Sequence, residues 1–435
     1  MTRLSRRAIL EKFATYGRDR SGWLVGAEFE RHLLLPNGRP LTFSEEGGVE
    51  WLIGEFVKEG WRPEHEREHL IAAWDDPASI TLEPGCQFEL SGAPHRTVNE
   101  ALDEALRFTR RVDHHLAAAG HGAKQVAIGF TPFVSIQDIP WVPKGRYVQM
   151  REFLIQFGDL AHHMMKGTCA IQASYDFMNE ADCAHKMQLS SRLAPLTTAM
   201  FANSPWLEGK NSGYMSFRGH IWTRTDPART GMPADREFTF ESWIDYLLDV
   251  PMMFIKRGKG YVSGQGRTFR DWMKLGIDGD FPRWDDWDLH MTSVFPEVRV
   301  KKQIEVRGAD CVPNDLAASF AALWEGLFYC TVALSDAEAL ADQFIQHGTK
   351  EERFEQACRH GLQGDVGGRP MLDWAKDLTA LAGRALTDCV PSDRHLLQPL
   401  EALLDSGQSL ARTHLRALGD SPTPQALIER THPLK

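Results

Sequence analysis

The stretch Val25-Gly-Ala-Glu-Phe-Glu30 decides how the rest of the chain is read. Side chains alternate across an extended backbone, so Glu28 and Glu30 project to one side and Ala27 and Phe29 to the other. The same division recurs in four further segments. Gln87, Glu89 and Ser91 share a side in Gln87-Phe-Glu-Leu-Ser91, and Gln172, Ser174 and Asp176 do so in Ile171-Gln-Ala-Ser-Tyr-Asp176. Ser216, Arg218 and His220 alternate in Tyr214-Met-Ser-Phe-Arg-Gly-His220, as do Gln303, Glu305 and Arg307 in Gln303-Ile-Glu-Val-Arg307. One such segment alone reads as a strand with its polar face to water. Five together, built on Glu, Gln and Arg, predict a sheet that lines a polar cleft.

Glutamates gathered in a cleft repel one another, and their ionised forms need a partner. A hard divalent cation with oxygen ligands meets that need, and Mg²⁺ commonly completes its shell with water and phosphate oxygens. The pattern therefore suggests Mg-nucleotide chemistry. It is not the chemistry of a P-loop, because G-x-x-x-x-G-K-[ST] is absent from the sequence. The glycine-rich run at 258–266 lacks a strand–glycine–helix context and reads as a hairpin.

Composition narrows the class. The chain has 435 residues, 43% hydrophobic and 25% charged, an ordinary globular make-up. Its formal charge of −10 is the wrong sign for a protein that neutralises nucleic-acid phosphates. No apolar run approaches the roughly 20 residues of a membrane span. The basic start at 1–7 resembles a signal peptide, but Glu11 and Lys12 interrupt the apolar core at once. A cytoplasmic protein without nucleic-acid or membrane partners is expected. Cys86, Cys169, Cys183, Cys311, Cys330, Cys358 and Cys389 are scattered and odd in number, which argues for reduced thiols.

Around residue 310 the texture changes from strands and long Gly/Pro loops to helical periodicity. Helices are predicted at 315–334, 336–347, 351–360, 371–386 and 395–418, interrupted at 364–370. The expected organisation is α+β, with a catalytic domain over 1–330 and a helical region over 331–435 packed on it. Within the body, helices are predicted at 100–119, capped by Asn99, and at 147–157. His114 and His115 are adjacent on the first of these and diverge by about 100°, so they do not face one ion together.

His65-Glu66-Arg67-Glu68-His69 matches H-E-x-x-H, whose zinc chemistry needs both histidines on one helix face. The turn signal Asp75-Asp-Pro-Ala lies between the strand-like stretches 70–74 and 79–83, which argues for hairpins instead.

Several blocks together carry a resemblance to a known family. They are Gly26-Ala-Glu-Phe-Glu30, Ser79-Ile-Thr-Leu-Glu-Pro-Gly-Cys-Gln-Phe-Glu-Leu-Ser-Gly92, Ile128-Gly-Phe-Thr-Pro132 and Pro143-Lys-Gly-Arg-Tyr147. Further on come Phe201-Ala-Asn-Ser-Pro205, His220-Ile-Trp-Thr223, Arg229-Thr-Gly231, Phe295-Pro-Glu-Val-Arg299 and Glu305-Val-Arg-Gly-Ala-Asp310. In this order, over residues 20–330, the chain resembles the plant-like and proteobacterial glutamate–cysteine ligases, with a weaker echo at 397–407. The resemblance implies a glutamine-synthetase-like carboxylate–amine ligase fold with a curved antiparallel sheet around the active site. It implies that Mg-ATP phosphorylates the glutamate γ-carboxylate and that the cysteine amine then displaces phosphate.

By position, the resemblance makes Glu28, Glu30, Glu83, Glu89 and Glu305 ligands of two or more Mg²⁺ ions, joined by Gln172. Arg307 would contact the transferring phosphate, helped by Arg146 and Lys144. Arg218 would pair with a substrate carboxylate, with His220, Ser174 and Cys86 around the substrates. The family usually has Thr where Ala27 stands, His at Phe29, Gly at Cys86 and Asn at Ser174. These departures leave open a different amine, or even a different acid, on the same fold. A non-catalytic relative is the third reading, and the retained glutamates and Arg307 weigh against it. A monomer or homodimer is expected.

Overall fold

The computed structural model describes residues 4–231, 237–258 and 260–435. Its centre is a nine-stranded sheet. The strands are β1 (Val25–Leu34), β2 (Arg62–Glu66), β3 (His69–Asp75), β4 (Ala78–Leu82), β5 (Phe88–Ser91), β6 (Lys124–Val126) and β7 (Ala170–Tyr175). Two short strands, β8 (Phe254–Arg257) and β9 (Gly260–Ser263), form a separate hairpin. Lys259, within the predicted 258–266 hairpin, lies outside the described residues. The large sheet is completed by β10 (Val298–Val300) and β11 (Ile304–Asp310). Its order is β10-β11-β7-β1-β5-β4-β3-β2, antiparallel throughout, with β6 paired to the end of β1.

Register explains the polar face. Glu28 lies opposite Gln172 on one neighbour and Ser91 on the other, Glu30 opposite Glu89, and Ser174 opposite both Gly26 and Glu305. In an antiparallel pair, partners point to the same side, so the polar residues of four segments merge into one surface. Phe29, Phe88, Leu90, Ile171 and Val306 occupy the other surface and are buried.

Helices fill both sides. They include α1 (Val98–Ala118), α2 (Gly145–Leu154), α3 (Ala161–Gly167), α4 (Glu180–Met200), α5 (Phe217–Trp222), α6 (Asn314–Tyr329), α7 (Thr331–Ile345), α8 (Lys350–His360) and α9 (Met371–Cys389). The apolar face of the sheet is covered by α1 and α6, and Tyr175 Oη donates to the Ala321 carbonyl at 2.7 Å to pin sheet to helix. One continuous apolar cluster includes Ile9, Phe29 and Ile171 of the body together with Phe344, Trp374 and Leu404. The helices beyond 330 thus share the body's core. The tail also returns to the sheet, where the Thr431 carbonyl accepts from the Ala127 amide at 2.7 Å.

Several sequence expectations shift. α1 is capped by Thr97, whose hydroxyl accepts from the Glu100 amide, and not by Asn99. The helix expected at 147–157 spans Gly145–Leu154. The stretch expected as one helix at 315–334 breaks at extended Cys330, and α6 and α7 meet there at a 103° bend. Among the described residues no single helix is long and apolar enough to cross a membrane. The helix expected at 395–418 is a 3₁₀ turn (Pro391–Leu397) and two helices (Gln398–Asp405 and Leu410–Leu418), separated where Gly407 takes φ 69°.

The larger correction concerns 214–220. This segment is not a strand: Ser216 accepts from the Gly219 amide at 3.0 Å and starts helix α5. Its hydroxyl also donates to Asp310 at 2.8 Å, which fixes the cap to β11. Alternating polarity over seven residues is compatible with both structures, and the cap decides. The hairpin reading of the H-E-x-x-H segment holds. Glu66 and His69 face each other across β2 and β3, with Arg67 at φ 57° in the turn, so the two histidines share no helix face.

Candidate active site

Above the polar face lies a cavity of about 270 Å³. Its walls come from the sheet, from α2, α3 and α5, and from the β8–β9 hairpin. Glu28 and Glu30 enter it from β1, Glu89 from β5, and Glu83 from the turn joining β4 to β5. That turn is closely tied. The Gln87 side chain accepts from the Gly85 amide at 2.8 Å and donates to the Met165 and Thr168 carbonyls at 3.2 and 2.9 Å. A Cβ on Gly85 would lie 2.2 Å from the Lys166 carbonyl oxygen, so the turn tolerates no side chain there.

Burial and neighbouring carboxylates dominate the glutamates of the cavity, although Lys301 and Arg307 act against them at Glu28, Arg218 at Glu30 and Lys144 at Glu89. Burial, then Glu305 and Glu89, push Glu28 up to about 7. Burial, then Glu83 and Glu89, hold Glu30 well above the usual carboxylate range, although it accepts from the Ala170 amide at 2.7 Å and from Gln172 at 2.9 Å. Glu89 is raised by burial and by Glu83, and accepts from Ser91 at 2.6 Å. Such a set of oxygen donors fits a hard divalent cation. Among the described residues no three His, Cys, Asp or Glu side chains are gathered closely enough to hold a metal ion by themselves. An ion held here would keep water or phosphate oxygens in its shell, as Mg²⁺ commonly does.

Glu305 differs. Arg299 grips it with two hydrogen bonds of 2.9 and 2.8 Å, Lys301 lies 2.9 Å away, and Arg307 also contacts it. Burial alone would raise its pKa, but these three cations hold it well below the ordinary value. Arg307 bridges Glu305 and the Gln172 side chain and borders the cavity. Arg218 donates to the Arg307 carbonyl at 3.0 Å, and its Nε is buried without a partner. Arg146 also borders the cavity and donates to the Tyr147 hydroxyl at 3.1 Å.

Glu28, Glu30, Glu83, Glu89, Gln172, Arg146, Arg218 and Arg307 therefore converge on one cavity. Other expected residues do not border it. Glu305 is enclosed by its cations. Lys144 is buried behind the wall, where its ammonium donates to the Leu82 carbonyl at 3.0 Å, and burial, then Arg146, lower it to about 8. Ser174 is half-buried beside Glu305 on the sheet. Cys86 sits in the core at φ 71°, and burial pushes its thiol up to about 12. That backbone conformation favours glycine. His220 stacks on Tyr214, ring centroids 4.3 Å apart, on α5 rather than on a strand.

Sequence reasoning assigned no role to Arg299, Tyr147 or Trp222, or to Met150, Met164, Met165 and Met253, all of which line the cavity. Arg299 could have been found. It stands opposite Glu305 once β10 and β11 are paired as a hairpin.

An antiparallel sheet with a carboxylate-lined cavity on one face is the arrangement expected of a carboxylate–amine ligase. The fold matches that of glutamate–cysteine ligase from Francisella tularensis in complex with AMP, at a TM-score of 0.58 over 94% of this chain and 87% of that one, with 12% identity. The chain belongs to glutamate–cysteine ligase family 2, whose sequence model matches residues 24–429, and it is an enzyme of that family. It is 38% identical over 402 residues to the chloroplastic glutamate–cysteine ligase of Nicotiana tabacum, covering 88% of this chain and 74% of the relative. It is 36% identical over 406 residues to the chloroplastic glutamate–cysteine ligase B of Oryza sativa subsp. japonica, covering 90% and 79%. These relatives overturn the cytoplasmic expectation: they are chloroplastic enzymes, and an interrupted apolar stretch near residue 11 does not define a compartment.

Proposed function

We propose that this enzyme joins the γ-carboxylate of glutamate to the amine of cysteine at the expense of Mg-ATP, through a γ-glutamyl phosphate, and so supplies thiol biosynthesis such as that of glutathione. The observation that carries the reading is that one cavity is lined by four glutamates, Glu28, Glu30, Glu83 and Glu89, and by three arginines, Arg146, Arg218 and Arg307. A carboxylate is a poor acyl donor until it is activated, and phosphoryl transfer is helped chiefly by charges that hold ATP and neutralise developing negative charge. Mg²⁺ at the four glutamates would supply the charge that positions the nucleotide phosphates. Arg307, fixed by Glu305 and Gln172, would meet the transferring phosphoryl group, with Arg146 beside it. Arg218 would bind a substrate carboxylate. The AMP in the Francisella tularensis structure is consistent with a nucleotide site in this fold.

A second reading changes the amine. The methionine-rich part of the wall, with Met150, Met164, Met165 and Met253, adapts readily to side chains of different size. The experiment is ADP release from Mg-ATP and glutamate across a panel of amines, with product masses. γ-Glutamylcysteine as the preferred product supports the first reading, and preference for another amine supports the second. No amine-dependent ADP release refutes both.

A further inference from the structure

We infer that Glu66, the glutamate of the H-E-x-x-H segment, is a positioning residue that docks the first turn of α2 and thereby aims Arg146 into the cavity. In the hairpin Glu66 lies opposite His69, and its carboxylate turns to α2, where Oε1 accepts from the Gly145 amide at 2.8 Å. That amide belongs to the exposed donor set of a helix N-terminus. The residue at the cap position is Lys144, which gives no side-chain cap. Its ammonium is committed instead to the Leu82 carbonyl. Glu66 therefore supplies from another hairpin the acceptor that the helix's own sequence lacks, and its charge suits the positive end of the helix.

The site is built for close contact. A Cβ at Gly145 would lie 2.6 Å from Glu66 Oε1 and 3.3 Å from the Tyr261 ring of β9, so two hairpins converge on the one residue without a side chain. The next two residues are Arg146 and Tyr147, both on the cavity wall. Tyr147 donates to the Leu82 carbonyl that also holds Lys144, at the end of β4 and next to Glu83. The first turn of α2 is thus fixed on one flank by Leu82 and on the other by Glu66, and Arg146 is carried between them.

This inference rests on the proposed role of Arg146 in phosphoryl transfer. Its test is a double-mutant cycle on the full chain, measured as amine-dependent ADP release. Removing an N-terminal cap weakens a helix start by about 1 kcal/mol, a factor of about five, so Glu66→Ala should lower kcat by about that factor with the melting temperature little changed. Glu66→Gln keeps an acceptor oxygen and should restore most of the loss. The Gly145 amide should exchange faster with solvent in Glu66→Ala only. In an Arg146→Ala background, Glu66→Ala should cost nothing further, because its effect passes through Arg146. Additive losses, or full activity of Glu66→Ala with a rapidly exchanging Gly145 amide, would overturn the inference. A wild-type enzyme that releases no ADP with any amine refutes the ligase reading itself, a separate result.

Discussion

Glu325 of α6 and Asp393 form a carboxyl pair inside the core, exposed by 1% and 0% respectively. Asp393 anchors the start of α1, where it accepts from the Val98 amide at 2.6 Å, and it also accepts from the Ser392 hydroxyl at 3.0 Å. Glu325 Oε2 is buried without a hydrogen-bond partner among the described residues. Burial, and then Asp393 through charge and hydrogen bonding, raise Glu325 from 4.5 to about 9. Between those values the folded chain binds a proton that the unfolded chain has released. Stability contributed by this group is complete below pH 4.5 and falls as the pH rises towards 9. Each pH unit in the window is worth about 1.4 kcal/mol. Between pH 5 and pH 8 the wild type should therefore lose up to about 4 kcal/mol through Glu325 alone. Glu325→Gln keeps the shape and a donor towards Asp393 but cannot ionise. Denaturant unfolding of both proteins at pH 5, 6.5 and 8 should show the variant gaining on the wild type at each step. Comparing the two curves cancels the titrating groups that do not interact with Glu325 and isolates the Glu325–Asp393 pair. If they stay parallel, Glu325 is not protonated in the fold and the argument fails.

Arg307→Ala should lower kcat by about 10² or more, the cost of losing one preorganised charge-stabilising group, while the chain stays folded. A rise only in KM for ATP, with kcat intact, would reduce Arg307 to ground-state binding. Ser174→Asn, placed beside Glu305 and Gly26 on the sheet, should shift KM or selectivity for the amine and leave the ATP parameters alone; unchanged amine kinetics would remove it from the site. Chelation of Mg²⁺ should abolish ADP release, and Mg²⁺ should raise the melting temperature of the wild type more than that of Glu28→Gln, because a ligand that binds only the folded state stabilises it. Equal stabilisation of both proteins would place the ion elsewhere.

The sheet was legible because its polar and apolar residues alternate with period two on strands that pair in register. Once Glu28, Glu89, Gln172 and Glu305 are each on the inward side, antiparallel pairing merges their surfaces. Segment 214–220 shows where that signal stops. Its alternation is as clean as that of β1, but Ser216 finds both a helix amide and Asp310. The second partner comes from a strand more than ninety residues away, which no local pattern reveals. The break at Cys330 is likewise set by packing, since the periodicity of 315–334 runs through it. Arg218 shows that a correct residue can come from an incorrect element. It reaches the cavity from α5 because the cap fixes that helix against β11.

The electrostatics of the cavity follow from the same sheet. Neighbouring β10 and β11 bring Arg299, Lys301 and Arg307 to Glu305, so this carboxylate is neutralised from within and serves to hold Arg307. Glu28, Glu30 and Glu89 lie on β1 and β5; Lys301 and Arg307 act on Glu28, yet burial and neighbouring glutamates still raise all three. A fold selected for stability alone would replace such a cluster with apolar residues, since uncompensated buried charges cost several kcal/mol each. The backbone ladder keeps them together at that cost. On the proposed reading, a dication bound there would lower the energy of the site, and an adjacent arginine would meet the negative charge that the dication brings in. On the same reading, Glu305, held by three cations, fixes Arg307, while the glutamates of β1 and β5 are left to take up a dication.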